Sequence, residues 1–314
     1  MALFLDILNI VLPVFLVIAL GTLLRRLELI DAAFLRQTNR LVYYVCLPLL
    51  LFYKIGTADF GQNFNLALVA ATIGAVATVF LLTYGWAALR GYPPAVRGVF
   101  SQGAFRGNIA YIGLAIALNA YGETGLTRAG ILMGFLVPFL NLFAITALLW
   151  PHRGAGNEHG TRFWLRQFLL NPLILASAAG ILWSWLALPM PVLLERSLKI
   201  SSSMALPLAL IAIGGGFSLQ KLRGDLTLAI AASVGKLVLL PLVALLLLHL
   251  LGVTGLDLGI GVLIAGTPAA TANYIMAQEL HGDAELAGSI VMLSTLASAV
   301  TYTVALYLLR TAGL

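Results

Sequence analysis

The chain has 314 residues, 61% of them hydrophobic and only 10% charged, with a mean hydropathy of +1.00. A soluble domain carries roughly a quarter charged residues, so this composition excludes a water-soluble core and points to an all-α protein whose partner is the lipid bilayer. The formal charge of +6 comes from basic residues standing singly or in pairs at segment ends, a topology signal that argues against a nucleic-acid partner.

Ten membrane-spanning helices are expected. The first covers residues 4–24 and is followed by Arg25-Arg26; its length and the lack of a basic stretch before it read as a span, not a cleaved leader. The second, 35–55, holds the single cysteine, Cys46, and the pair Leu47-Pro48. The third covers 64–89, the fourth 96–120 and the fifth 127–150. A polar stretch, 151–162, rich in glycine, asparagine and histidine, reads as a cytoplasmic linker. The second half follows with spans at 163–187, 192–219, 225–251, 257–279 and 284–310.

The halves, 1–150 and 163–314, repeat one another at an offset of about 160 positions. Gly21 then meets Gly180, Leu47-Pro48 meets Leu206-Pro207, and Gly122 meets Gly282. Each half holds an odd number of spans, so the second copy is expected upside down relative to the first, as in many secondary transporters. Lysine and arginine concentrate in the odd-numbered loops, at Arg25, Arg26, Arg90, Arg97, Lys221 and Arg223 among others. Those loops are expected in the cytoplasm, with both termini outside.

Two spans are interrupted at matching places. The fourth carries Phe105-Arg106-Gly107-Asn108 and continues to Gly113; the ninth carries Ala265-Gly266-Thr267-Pro268 and continues to Tyr274. Unwound backbone inside a membrane must line a polar cavity, and each half-helix beginning after a break offers an electropositive N-terminus. The expected substrate site is therefore Gly107, Asn108, Tyr111 and Gly113 from the fourth span, with Pro268, Thr271 and Asn273 from the ninth. The amides either contact substrate or cap the freed backbone, and both readings stand at this stage. Lys236, midway along the eighth span, joins the candidates as a cation that must face a cavity or a partner. Arg106 reads equally as a charge at the site entrance or as a cytoplasmic helix end.

At these residues the chain resembles the auxin efflux carrier family. The resemblance rests on Asn39 to Phe52 with its Leu47-Pro48-Leu49-Leu50-Leu51-Phe52 ending, on Phe105-Arg106-Gly107-Asn108 with Gly113-Leu114, and on Thr267-Pro268 with Gly282. It implies two inverted five-helix repeats with spans 4 and 9 crossing at their breaks, a fold like that of the bile-acid sodium symporters, in a bacterial inner membrane. It also implies a scaffold group of helices that can serve as a homodimer surface. One departure is Ala115, where the family usually has proline, so the fourth-span break is expected to rest on Gly107 and Gly113.

The expected activity is alternating-access transport of small organic anions, carboxylates such as dicarboxylates or auxin-like acids. A sodium-coupled bile-acid-type symporter and a membrane receptor are the alternatives. The four histidines are scattered and no nucleophile stands beside a base, so no enzyme, metal or cofactor is expected.

Overall fold

The computed structural model describes residues 2–152, 170–217 and 225–313. Most of the expected linker, the start of the sixth span, and Lys221 and Arg223 lie outside the described residues.

The described chain is helical throughout: α1 (Ala2–Arg26), α2 (Ala32–Leu41), α3 (Leu47–Gly56), α4 (Phe60–Asn63), α5 (Leu66–Leu89), α6 (Pro94–Phe105), α7 (Leu114–Leu149), α8 (Pro172–Trp185), α9 (Val192–Ser203), α10 (Ala205–Gly215), α11 (Leu226–Val234), α12 (Leu240–Leu250), α13 (Gly255–Ala265), α14 (Ala272–Glu279) and α15 (Ala284–Thr311). Short polar side chains start many of them. Asp31, Asn65, Asn171, Asp225 and Asp283 each accept from a backbone N–H in the first turn of the helix that follows. Serine and threonine within apolar runs turn back on their own helix, as Thr72 does to the Leu68 carbonyl (2.7 Å).

Six helical stretches among the described residues are long and apolar enough to cross a bilayer: Leu3–Arg26, Leu66–Leu89, Ile109–His152, Val192–Gly215, Leu226–Leu250 and Ala284–Thr311. The expected second, fourth and ninth spans fall outside these six because they are interrupted, while of the expected sixth span α8 is the described part. A wide π-helical turn, Val42–Cys46, separates the polar α2 from the apolar α3. Residues 106–108 and 266–271 divide the expected fourth and ninth spans into short pieces. The stretch Ile109–His152 is too long for one crossing and breaks at Gly122, where φ of 63° and ψ of −154° leave the helical region. Gly98 abuts Ala147–Leu148 while Arg106 meets Asn141, so the chain runs back antiparallel after Gly122.

The helices pack as two groups. In the first, α1 lies so close to α10 that a Cβ on Gly21 or Gly214 would overlap the opposing backbone, and the Thr22 hydroxyl donates to the Gly214 carbonyl (2.9 Å). Close backbone approach at small residues is the usual cement of helices in lipid, where no hydrophobic effect draws them together. In the same group α3 packs on α8, with Gly180 against Ile55 and the Phe52 carbonyl. The second group gathers α5, α6, α7 and α11 to α15. Here Gly103 seats Ile290, Gly261 seats Leu248 and Leu68, and Thr83 bonds Ser101 (3.0 Å). Asp257 ties three segments of this group together, accepting from Arg128 (2.8 Å) and from the Asn65 amide (2.8 Å). Between the groups, apolar side chains of both share one core, Gly134 on α7 abuts Ser177 on α8, and polar bonds join Lys54 with Glu123 (2.5 Å), Asn119 with the Ile10 carbonyl (3.0 Å), and Tyr111 with Asn39 (3.3 Å).

Candidate functional site

The two interrupted stretches meet each other. Gly107 and Ala269 form an antiparallel bridge; the Asn108 N–H donates to the Pro268 carbonyl (2.7 Å) and the Ala270 N–H to the Arg106 carbonyl (3.0 Å). Each break thus supplies the partners that the other lacks, which lets extended backbone persist in an apolar setting. Ser294 on α15 adds a hydroxyl acceptor for the Ala269 N–H (3.0 Å). Half-helices start immediately after the bridge, at Ile109 and at Ala272.

Close approach explains the glycines. A Cβ on Gly107 would overlap the Thr267 hydroxyl and stand 3.0 Å from Lys236 Cε; a Cβ on Gly113 would stand 2.9 Å from Thr267 Cγ2. Behind this contact, Lys236 is completely buried, and its ammonium donates to the Ala265 carbonyl (2.6 Å), an acceptor at the last turn of α13 where the helix stops. Lys236 therefore sits at the bridge itself, as a tether between α13 and the π-helical turn Gly235–Leu239 that carries it.

The candidate residues have different surroundings. Asn108 is buried, makes no capping bond, and its Nδ2 has no partner. Asn273 is also buried but fully engaged: its Oδ1 accepts from Arg106 (3.0 Å) and its Nδ2 donates to the Arg106 carbonyl (3.2 Å). Pro268 supplies the bridging carbonyl. Tyr111 reaches across to Asn39 on α2, and Thr271, Tyr274 and Asn39 line a cavity of about 160 Å³. The structure thus brings Gly107, Asn108, Pro268, Asn273 and Lys236 into one cluster, with Gly113 against Thr267 and with Tyr111 and Thr271 along its edge.

Several polar residues that the sequence did not single out join the cluster. Asn141, midway along α7, accepts from Arg106 (2.8 Å). Tyr43 lies within electrostatic reach of Arg106 and accepts from Asn171 Nδ2 (3.2 Å). Asn39, Tyr43 and Asn171 belong to the first helix group; Arg106, Asn108, Tyr111, Asn141 and Asn273 belong to the second. The polar cluster therefore lies along the seam between groups. Asn39 and Tyr43 are four apart on one helical face, and Asn141 is the single amide in a long apolar run; these were the available signals.

A second cavity, of about 390 Å³, opens at the Lys54 end of the same seam. Pro13, Leu50, Lys54 and Lys199 line it from one group, and Ala115, Asn119 and Glu123 from the other. No cluster of three or more histidine, cysteine, aspartate or glutamate side chains suited to a metal stands among the described residues.

Comparison with known proteins agrees with this reading. The family described as "Membrane transport protein" matches residues 6–306. A Rhizobium meliloti protein named "Putative malonate transporter" is 28% identical over 321 aligned positions, covering 98% of each chain. An "Uncharacterized transporter" of Methanothermobacter thermautotrophicus is 27% identical over 93% of this chain and 94% of its own. An uncharacterized transporter of Methanocaldococcus jannaschii is 24% identical over 60% of this chain and 61% of its own. With apolar membrane-length helices, a polar seam between two helix groups and a match along nearly its whole length, the chain belongs to the membrane transport protein family of the auxin efflux carriers, and is an integral membrane transporter, not an enzyme.

Proposed function

We propose that the chain is a secondary carrier of small organic anions, built as ten spans in two inverted five-helix repeats and working by alternating access. The observation that carries this reading is the Gly107–Ala269 bridge, with half-helices starting beside it at Ile109 and Ala272. Two helix N-termini near one point favour an anion without needing an acidic residue or a metal. Asn108, with its unpartnered buried amide, offers a donor to a carboxylate, and Tyr111, Thr271 and Asn273 follow the same two breaks. The name of the Rhizobium meliloti relative supports a dicarboxylate as the substrate class.

In this reading the group containing the bridge is the moving body, and the α1, α3, α8 and α10 group is the scaffold. Arg25, Arg26, Arg90 and Arg97 mark the cytoplasmic face, and Lys54 and Arg128 the outer one, in a bacterial inner membrane. The test is uptake of labelled malonate by proteoliposomes, with and without a sodium or proton gradient. Saturable uptake inhibited by other dicarboxylates is expected. Uptake that requires sodium would shift the reading to a sodium symporter, and no flux of any carboxylate by folded protein would overturn it.

A further inference from the structure

Two cations stand at the bridge, and their surroundings differ in a way that assigns them different work. Lys236 is sealed off: it has no exposed surface, and its charge rests on the Ala265 carbonyl. Arg106 lies on the seam with its side partly open, at the point where α6 ends. Its two terminal nitrogens donate to the side-chain oxygens of Asn273 (3.0 Å) and Asn141 (2.8 Å). Neither oxygen carries a charge. The two ion pairs among the described residues, Lys54–Glu123 and Arg128–Asp257, do not involve Arg106. A guanidinium keeps its proton in proteins and has five N–H donors; two are used by the amides, which leaves three for a ligand.

We propose that Arg106 is the substrate-contacting charge of this carrier, and that it takes one carboxylate of the transported anion in its remaining donors. This rests on the transport reading above. Asn141 on α7 and Asn273 on α14 grip the guanidinium from two helices, so its plane is set before an anion arrives, as bidentate recognition of a carboxylate requires. The anion then supplies the negative charge that the protein withholds. Tyr43, from the opposite helix group, brings a phenol and not a carboxylate toward the guanidinium, and its hydroxyl accepts from Asn171 (3.2 Å). Because Asn273 follows one break and Arg106 borders the other, a carboxylate held here touches both interrupted segments through a single side chain.

The test measures labelled malonate uptake by the full chain in proteoliposomes, with KM and maximal rate separated, beside the half-amide malonamate as competitor. Arg106→Gln is expected to raise the KM for malonate about tenfold or more, and to erase the preference for malonate over malonamate. Arg106→Lys, which keeps the charge but loses the fork, is expected to fall between, and Asn141→Ala to raise KM by a smaller factor. An Arg106→Gln protein with unaltered KM, or one that loses only maximal rate, overturns the assignment. If that variant does not reconstitute, Arg106→Lys decides: unchanged KM and unchanged malonamate discrimination overturn it. Unaltered protein that carries no carboxylate overturns the transport reading and this assignment with it; uptake by unaltered protein with an indifferent Arg106 overturns this assignment alone.

Discussion

At the scale of single residues, the bridge is held by what is missing from Gly107. Its backbone is not in the left-handed region, so the glycine is required by proximity and not by a turn. Gly107→Ala places a methyl into the Thr267 hydroxyl and against Lys236, and overpacking of this kind costs about 1–3 kcal/mol. The expected outcome is a lower melting temperature in detergent together with lost uptake. Asn108 should behave oppositely. It caps nothing, so Asn108→Ala is expected to leave the melting temperature near that of the unaltered protein while uptake of malonate collapses. A variant with normal uptake would remove this amide from the site. Both residues were legible in the sequence as helix breakers beside an amide. The sequence left open whether Asn108 caps freed backbone or meets substrate; in the fold it makes no capping bond, and the uptake measurement tests the second role.

At the scale of elements, the sequence marked the places where helices fail but not how they fail. Leu47-Pro48 and Leu240-Pro241 were visible as prolines within apolar runs. In the fold each proline opens a new helix just after a π-helical turn, Val42–Cys46 or Gly235–Leu239, a widening that accommodates the absent N–H. Gly122 falls between the expected fourth and fifth spans, and its positive φ is where the chain turns back. The pairing of α1 with α10 was not legible, because an approach of two backbones leaves no periodic trace beyond scattered glycines. It is nevertheless specific. Gly214→Val drives two extra methyl groups and a Cβ into the Ile18 carbonyl, and is expected to reduce the yield of folded protein sharply; a less disruptive Thr22→Val, which removes the hydroxyl bonded to the Gly214 carbonyl (2.9 Å) and more weakly to the Ile18 carbonyl (3.4 Å), should cost about 1 kcal/mol in thermal unfolding.

At the scale of the whole molecule, two helix groups share a seam that carries polar bonds beside apolar packing. Apolar composition and the spacing of the breaks made the membrane class and the location of the bridge legible. The seam was not, since the Asn39–Tyr43 pair, Asn141 and Asn171 lie in three segments far apart in sequence, each unremarkable alone; only tertiary packing links them through Tyr111 and Arg106. If transport needs the groups to move past one another, linking them should stop it. With Lys54 and Glu123 both replaced by cysteine, in a Cys46→Ser background, a short reducible thiol cross-linker is expected to abolish uptake, and a reducing agent to restore it. Uptake that persists in fully cross-linked protein would mean that this end of the seam stays still during transport.

The opening at the Lys54 end draws its walls from both groups, so under the proposed alternating access its volume would change as the groups move. A hydrophobic acid that fills this opening, with its carboxylate toward Lys54 and Lys199, would lodge there as a wedge. Such a compound should depress the maximal rate of transport without shifting the concentration of malonate needed for half of it, and extra substrate should not relieve the block.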